Sequence, residues 1–342
     1  MSPKLKKVED QVVVITGASS GIGLVTAKMA AARGARVLLA ARNERDLRRA
    51  VDEIRRVGGR ALYATADVAN PDDVARVADA AMAQYGRIDT WVNNAAVAVY
   101  GRLMDLAVPD MRRQFDVIYW GQVYGSRVAV PHLARHGGAL INVASALADR
   151  AIPLQGNYCA AKHALKAFTD SLRMELEEEG APISVTLIKP GSIDTPLFDK
   201  ARTLLDAEPQ PVPPVYAPEL VARAILHCAE HPVRDLVVSG MGKVLSLAGT
   251  VAPRLTDRYM ERSTFEAQMS DLPLADGRPD NLYDPVDHDG GERGRNWTGR
   301  VHARSFQTWA ALHPAGTARL VGLLVAGGIL AMARRRRTRI RR

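Results

Sequence analysis

Three polar side chains near the middle of the chain have the types and the spacing needed for proton transfer. Tyr158 and Lys162 are one helical turn apart, and Ser145 lies upstream of both. A phenol ionises at about pH 10, and a lysine ammonium one turn away stabilises the phenolate and lowers its pKa. Ser145 can hold a substrate oxygen by a hydrogen bond. We predict Tyr158 as general acid or base, Lys162 as its electrostatic partner and Ser145 as the substrate anchor.

A glycine-rich turn closes the first predicted strand. Gln11 to Thr16 is a β-branched run typical of a buried strand, and it continues as Thr16-Gly17-Ala18-Ser19-Ser20-Gly21-Ile22-Gly23. Glycines allow the backbone to approach a pyrophosphate, and the following helix N-terminus offers free N–H groups. Together with the three polar side chains, the turn predicts that a dinucleotide binds and that a hydride passes between its nicotinamide and a carbonyl or alcohol carbon.

The end of the second predicted strand bears on which cofactor binds. An acidic residue there would bind the ribose 2′-hydroxyl of NAD(H), but this chain has Ala40-Ala41-Arg42. A guanidinium can hold a phosphate through two hydrogen bonds. NADP(H) is therefore favoured over NAD(H). The alternative, that Arg42 is only a solvated loop charge, stays open because Ser20 adds no second positive group.

Strand and helix patterns alternate along most of the chain. This alternation predicts an α/β fold: a doubly wound, Rossmann-type parallel sheet of about seven strands, with helices on both faces. The predicted strands are Gln11–Thr16, Arg36–Ala41, Ala61–Ala66, Thr90–Asn93, Ala139–Val143, Ser184–Ile188 and Asp235–Val238.

Composition divides the chain into three regions. Residues 1–240 form the predicted catalytic domain, and 241–304 a helical, then irregular, extension or linker. Residues 305–342 hold an apolar segment, Leu320 to Ala333, and an arginine tail. Membrane association of this last region is favoured. We predict a cytoplasmic protein, which this segment would attach to the cytoplasmic face of a membrane. Packing against the domain or a second copy, and a disordered tail binding anionic partners, are the alternatives.

Charge and cysteine content exclude other classes of protein. The formal charge of +9 is concentrated in Arg334 to Arg342, which contains seven arginines, so no nucleic-acid footprint is predicted for the rest of the chain. The two cysteines, Cys159 and Cys228, form no disulfide framework and lack metal-ligand spacing. We predict no metal site and a reducing compartment.

The motifs in this order resemble those of the short-chain dehydrogenase/reductase family. Its T-G-x-x-x-G-x-G, N-N-A-G, Ser before Y-x-x-x-K, and P-G are matched, within about residues 8 to 240, by Thr16 to Gly23, Asn93 to Ala96, Ser145, Tyr158 to Lys162 and Pro190-Gly191. The resemblance implies that Asn93 steadies the sheet and that Lys162 also holds the nicotinamide ribose. It assigns to the cofactor Gly17, Ser19, Ser20, Gly21, Ile22, Gly23, Arg42, Asp67, Val68, Asn94, Ala95, Tyr158, Lys162, Pro190, Gly191, Ile193 and Thr195.

Two positions depart from the family pattern. Ala96 stands where the family has glycine, and Ile118 stands where it often has an asparagine that organises a water relay to the lysine. Isoleucine cannot hydrogen-bond, so we expect a different relay. This departure is the one sign in favour of an alternative function: a catalytically impaired nucleotide-binding or scaffold protein on the same fold.

Two further expectations concern partners. The proline-rich loop Leu197 to Tyr216, with Leu197, Phe198, Leu204 and Leu205, predicts a lid over an apolar pocket and a hydrophobic alcohol or carbonyl substrate, a plain surface connector being the alternative. The predicted helices Pro109–Leu133 and Asn157–Glu179 resemble those through which family members form dimers and tetramers. We therefore expect a homo-oligomer.

Overall fold

A parallel sheet forms the centre of the molecule. The computed structural model describes residues 3–275, 277–313 and 316–317, with backbone alone for 241–243 and 245–246. The strands of this sheet are β1 (Val12–Thr16), β2 (Arg36–Ala41), β3 (Arg60–Thr65), β4 (Thr90–Asn93), β5 (Gly138–Val143), β6 (Ile183–Pro190) and β7 (Asp235–Val238). They lie in the order β3-β2-β1-β4-β5-β6-β7, all parallel, which confirms the predicted doubly wound sheet.

Helices cover both faces of this sheet. Within the described residues they are α1 (Gly21–Ala32), α2 (Glu44–Arg56), α3 (Pro71–Tyr85), α4 (Val108–Phe115), α5 (Gly121–His136), α6 (Gly156–Glu178), α7 (Pro218–Glu230), α8 (Met241–Val251), α9 (Pro253–Ala267) and α10 (Phe306–Leu312). Apolar side chains of α1, α2 and α7 pack on one face. Those of α3, α5 and α6 pack on the other. Burial on both faces explains why the strands are continuous apolar runs.

Local signals fix several helix ends. The Asn70 side chain accepts the N–H of Asp72 at 3.0 Å and caps α3, a position at which asparagine is preferred. The long predicted helix Pro109–Leu133 is α4 and α5 joined by a π-helical turn, Asp116–Trp120. The region from Met241 to Met269 contains two helices, α8 and α9, because Pro253 has no N–H to continue α8.

The order of the strands determines where the candidate site lies. The chain runs outward from β1 in one direction through β2 and β3, and in the other from β4 to β7. A crevice therefore opens beyond the carboxyl ends of β1 and β4, where ligands bind in such sheets. The glycine turn follows β1, Ser145 follows β5 and Gly191 follows β6.

Residues 277–296, called the strap below, cross the carboxyl edge of the sheet. The sequence predicts a linker or loosely ordered extension here, and the strap has no helix or strand. It is nonetheless fixed to the domain, since Leu282 is fully buried in the apolar cluster that contains Val68 and Val117. The buried Arg278 guanidinium donates to the backbone of the 197–216 loop and pairs with Glu208 at 2.7 Å.

Candidate active site

The three predicted catalytic residues lie together. Ser145 follows β5, Tyr158 and Lys162 lie on α6, and all three side chains are buried. The Lys162 Nζ lies 5.6 Å from the centre of the Tyr158 ring. Ser145 and Tyr158 are joined by a hydrogen bond between their hydroxyl groups. The Ser145 Oγ also accepts the N–H of Leu147 at 3.1 Å, which fixes its position.

The electrostatics of this group differ from the prediction. Lys162 was expected to lower the pKa of Tyr158, but burial raises that pKa, and Cys159 raises it further, against a lowering by the Ser145 hydrogen bond. Burial also lowers the pKa of Lys162 to about 7. Burial therefore acts against the lowering of the Tyr158 pKa that was expected from Lys162, and the role of Lys162 as electrostatic partner stays a prediction.

Ile118 lies directly behind the catalytic pair. It is fully buried in the π-helical turn and packs against Tyr158 and Ala161. The Lys162 Nζ donates to the Val143 carbonyl at 2.8 Å, and this carbonyl also accepts from the side-chain amide of Gln122 at 3.2 Å. The Lys162 ammonium thus makes its polar contact with the backbone of β5. Ile118 offers it no hydrogen-bonding group.

The glycine turn has the geometry of a close backbone approach. Gly17 has φ +65°, and a Cβ there would lie 2.6 Å from the Cα of Ala95. A Cβ on Gly23 would lie 2.2 Å from the Gly17 carbonyl oxygen. The Asn94 side-chain amide donates to the carbonyls of Thr16 at 3.0 Å and Gly17 at 3.1 Å. Only glycine fits at 17 and 23, and Asn94 locks the turn against β4.

A neighbouring asparagine ties the sheet to a helix. The Asn93 amide donates to the Asn142 side chain at 2.9 Å and to the Gln122 carbonyl and Ser126 hydroxyl, both at 3.2 Å. Its oxygen accepts from the indole of Trp91 at 2.7 Å. All of its polar atoms are bonded within the core, so its role is to hold β4, β5 and α5 together.

One cavity of about 300 Å³ joins these pieces. It is lined by the catalytic group and by every residue assigned to the cofactor except Gly23, which lies behind the turn. At the far end the Asp67 carboxylate pairs with Arg113 at 2.6 Å. The Arg42 guanidinium lies there too, donating to the carbonyls of Asn281 and, at 2.6 Å, Tyr283. Arg42 is therefore a partly buried group of the cavity wall, held by the strap.

Several residues of the cavity wall were not predicted from the sequence. Lys200 lines the cavity from the 197–216 loop, and its Nζ lies 3.0 Å from the Ser20 Oγ. Asp289 of the strap and Met260 and Thr264 of α9 line it as well. The i, i+4 spacing of Met260 and Thr264 was the one available signal, since the strap has no periodic pattern. These residues approach through tertiary contacts that no local pattern encodes.

The predicted lid loop contributes some of its apolar residues to the wall of the cavity. Leu197 and Phe198 line the cavity, together with Val212 and the two prolines that follow it. Leu204 is 55% exposed instead, and Leu205 packs beside the buried Tyr100. Leu147 and Ile152 complete an apolar wall on the catalytic side.

The C-terminal predictions fall largely outside the described residues. Leu320 to Ala333 and the arginine tail are not described, whereas α10 packs against the domain through the buried Thr308. Among the described residues, the structure contains no helix with the length and apolarity to cross a membrane.

Known proteins with a similar sequence include several oxidoreductases. Residues 11–205 match the family model for short chain dehydrogenase. The uncharacterized oxidoreductase YxnA of Bacillus subtilis (strain 168) is 48% identical over 98% of this chain and 93% of its own. The 11-beta-hydroxysteroid dehydrogenase A of Sesamum indicum is 34% identical over 65% of this chain and 66% of its own.

Solved structures show the same fold. A short chain dehydrogenase/reductase from Burkholderia phymatum, in complex with NAD, superposes with a TM-score of 0.67 at 25% identity, covering 73% of this chain and 96% of its own. An alcohol dehydrogenase from the archaeon Thermococcus sibiricus, complexed with 5-hydroxy-NADP, has a TM-score of 0.59 at 24% identity, over 66% of this chain and 95% of its own.

Proposed function

The chain belongs to the short-chain dehydrogenase family, and from the geometry of its site we propose that it interconverts a bulky apolar ketone or aldehyde and the corresponding alcohol, using NADP(H) in preference to NAD(H). The observation that carries the proposal is the single cavity that joins Ser145, Tyr158 and Lys162 to the glycine turn. Acid–base groups and a dinucleotide cradle thus face one space.

The residues present fit a nicotinamide dinucleotide. Gly17 and Gly23 leave a cradle that a Cβ would fill, and the Ser20 side chain at the N-cap of α1 makes no capping hydrogen bond. The Gly21 N–H at this end donates to the Gly291 carbonyl, and the positive dipole end of α1 lies beside it, at the cavity, where it would stabilise a pyrophosphate. When bound, the nicotinamide supplies or accepts the hydride. Lys162 would hold the ribose, and Ile193 and Thr195 the carboxamide and phosphate region.

The protein groups then handle the substrate oxygen. The Ser145 hydroxyl holds it by a hydrogen bond, and the neutral Tyr158 hydroxyl donates its proton to the developing alkoxide. Burial raises the pKa of Tyr158, so the phenol holds the proton that it gives to the substrate oxygen during reduction. Leu147, Ile152 and Met260 line the cavity with apolar surface.

The apolar wall indicates the substrate class. Leu197, Phe198, Val212 and Met260 surround the catalytic side of the cavity and offer few polar partners to a ligand. The plant relative named as a hydroxysteroid dehydrogenase is consistent with a bulky apolar substrate. A lipid-derived or polycyclic ketone fits this wall better than a small hydroxy acid does.

A substrate screen tests the proposal. The purified chain is mixed with NADPH or NADH and a panel of apolar ketones and aldehydes, and the loss of reduced-nicotinamide absorbance is followed. We expect turnover that falls about 10²- to 10⁴-fold in Tyr158→Phe, with NADPH binding retained. NADPH binding without turnover by the wild-type chain on any compound would favour the nucleotide-binding or scaffold alternative.

A further inference from the structure

A cluster of charged side chains at the adenosine end of the cavity is not accounted for by the family motifs. Lys200 comes from the 197–216 loop and Asp289 from the strap, and both line the cavity beside Arg42 and Ser20. Residues 206 onward, which include the strap, lie outside the part of the chain that matches the family model. The Asp289 carboxylate therefore reaches the cofactor cavity from a segment that the family model does not cover.

Lys200 is held in place on two sides. Its Nζ donates to the Ser20 Oγ at 3.0 Å, to the Asp289 Oδ1 at 2.8 Å and to the Asp289 carbonyl at 3.2 Å. The side chains of Lys200 and Asp289 are 11% and 8% exposed, so the pair is shielded from solvent. Burial lowers the pKa of Lys200, and the Asp289 carboxylate opposes that change.

The strap is fixed independently of this pair. The Asp289 N–H donates to the buried Asp46 carboxylate at 2.5 Å, and the Gly21 N–H donates to the Gly291 carbonyl at 2.8 Å. Lys28 on α1 pairs with Glu292 at 2.8 Å. Asp289 is thus positioned by neighbours that do not include Lys200, and its charge faces the lysine from a rigid support.

We propose that Lys200 is a specificity-determining residue: with Arg42 it forms a two-cation site for the 2′-phosphate of NADP(H), and Asp289 is an internal anion that weakens this site. The inference rests on the proposed function and deepens it. Lys200 supplies the second positive group that Ser20 lacks. A phosphate beside Ser20 accepts a hydrogen bond from the Lys200 ammonium in which both groups are charged. A neutral 2′-hydroxyl in the same place forms a weaker bond.

Binding measurements with four probes distinguish an effect of the Lys200 charge on the 2′-phosphate from a general structural effect. Affinities for NADPH, NADH, adenosine 2′,5′-bisphosphate and 5′-AMP are measured by titration calorimetry, without any substrate. Lys200→Met is expected to weaken NADPH and the bisphosphate about tenfold or more, and NADH and 5′-AMP less than about threefold. Asp289→Asn is expected to strengthen the two phosphate-bearing probes and leave the other two unchanged.

Two further variants guard against a folding artefact. Lys200→Met leaves a shielded carboxylate unpaired, so the double variant Lys200→Met/Asp289→Asn removes both charges, and we expect the same selective loss of phosphate affinity. Lys28→Met removes another lysine contact of the strap outside the cavity, and should change all four affinities less than about twofold.

The possible outcomes are distinct. Equal weakening of all four probes by the double variant would make Lys200 a structural residue and overturn the inference. A selective loss of NADH affinity in Asp289→Asn would show that Asp289 binds the ribose 2′-hydroxyl, which also overturns it. If the wild-type chain binds none of the probes, it is the proposed function that fails.

Discussion

Tyr158 and Lys162 show how burial changes the chemistry that spacing alone suggests. Their separation by one helical turn correctly indicates that both face one pocket, since each lines the cavity. Spacing carries no information on solvation, however, and burial moves the pKa of the phenol up and that of the lysine down to about 7. The roles can be predicted from sequence, but the protonation states need the three-dimensional environment.

The lowered pKa of Lys162 has a consequence for stability. In the unfolded chain this lysine ionises near its ordinary value of 10.5, and in the folded chain at about 7. Between these two values the unfolded chain binds more protons, so this group makes the free energy of unfolding rise with pH, and it contributes no slope below about pH 7. Lys162→Met should therefore be stabilising at pH 7, with an advantage that shrinks toward pH 10.5.

Denaturant unfolding of both proteins at several pH values measures this effect. The wild type and Lys162→Met share every other titrating group, so their difference isolates the lysine. A difference that is constant from pH 7 to 10 would show that Lys162 keeps its ordinary pKa in the folded chain, contrary to our account.

At the scale of elements, sequence patterns located the strands and the turn that position the site. β-branched runs predicted the sheet, and the glycine spacing predicted a turn that only glycine fits at 17 and 23. These signals are local: a buried parallel strand must be apolar along its length, and a backbone at positive φ favours glycine. Helix caps such as Asn70 can be predicted for the same reason, because they too depend on local sequence.

The glycine turn offers a matched test. Gly17 and Gly86 both have positive φ, but an added Cβ meets Ala95 at 2.6 Å in the first case and nothing within 4 Å in the second. Both alanine variants bear a conformational cost of about 1 kcal/mol. Gly17→Ala alone must also displace the backbone of the turn, so we expect it to lose NADPH binding and to have the lower Tm.

Fluorescence titration with NADPH and thermal unfolding measure the two effects. Gly86→Ala serves as the control, with wild-type affinity expected. Wild-type NADPH affinity in Gly17→Ala would mean that the turn does not form the cradle.

The contributions of α9 and the strap could not be predicted, because they depend on how distant segments dock. Gln268 at the end of α9 donates to the Pro153 carbonyl at 3.0 Å and bonds the Gln155 amide at 2.8 Å. Arg150 pairs with Asp257 of the same helix. Such contacts join residues more than 100 positions apart, and neither charge nor hydropathy along the chain indicates the pairing.

At the scale of the whole molecule, the strap makes the extension part of the domain's packing. Leu282 is fully buried, whereas Leu272 is 49% exposed in the same extension. We expect Leu282→Ala to lower the free energy of unfolding by about 2–5 kcal/mol and Leu272→Ala by less than about 0.5 kcal/mol. Denaturant unfolding followed by circular dichroism measures both. Equal stabilities would show that the strap opens independently of the domain.

The expected homo-oligomer has a candidate interface in the aromatic side chains of the π-helical turn and the start of α5. Trp120 is 44% exposed, and its ring contacts those of Tyr119 and Tyr124 at 5.1 and 6.0 Å between centroids. Exposed aromatic clusters are typical of interfaces. We expect light scattering at micromolar concentration to give a multiple of the protomer mass, and Trp120→Glu to reduce it. Met104→Glu, at a residue 94% exposed, should leave the mass unchanged. A monomeric wild-type chain would contradict this expectation.

Hydride transfer assisted by Tyr158 is the central claim, and isotope tracing tests it most directly. NADPH that carries deuterium in both hydrogen positions of its hydride-donating carbon is incubated with the chain and a ketone found in the screen, and the alcohol product is analysed by mass spectrometry and NMR. We predict that the deuterium is on the carbinol carbon, and that Tyr158→Phe, though it still binds NADPH, forms almost no labelled alcohol. Product without deuterium at that carbon, or equal labelling by the variant, would contradict the account.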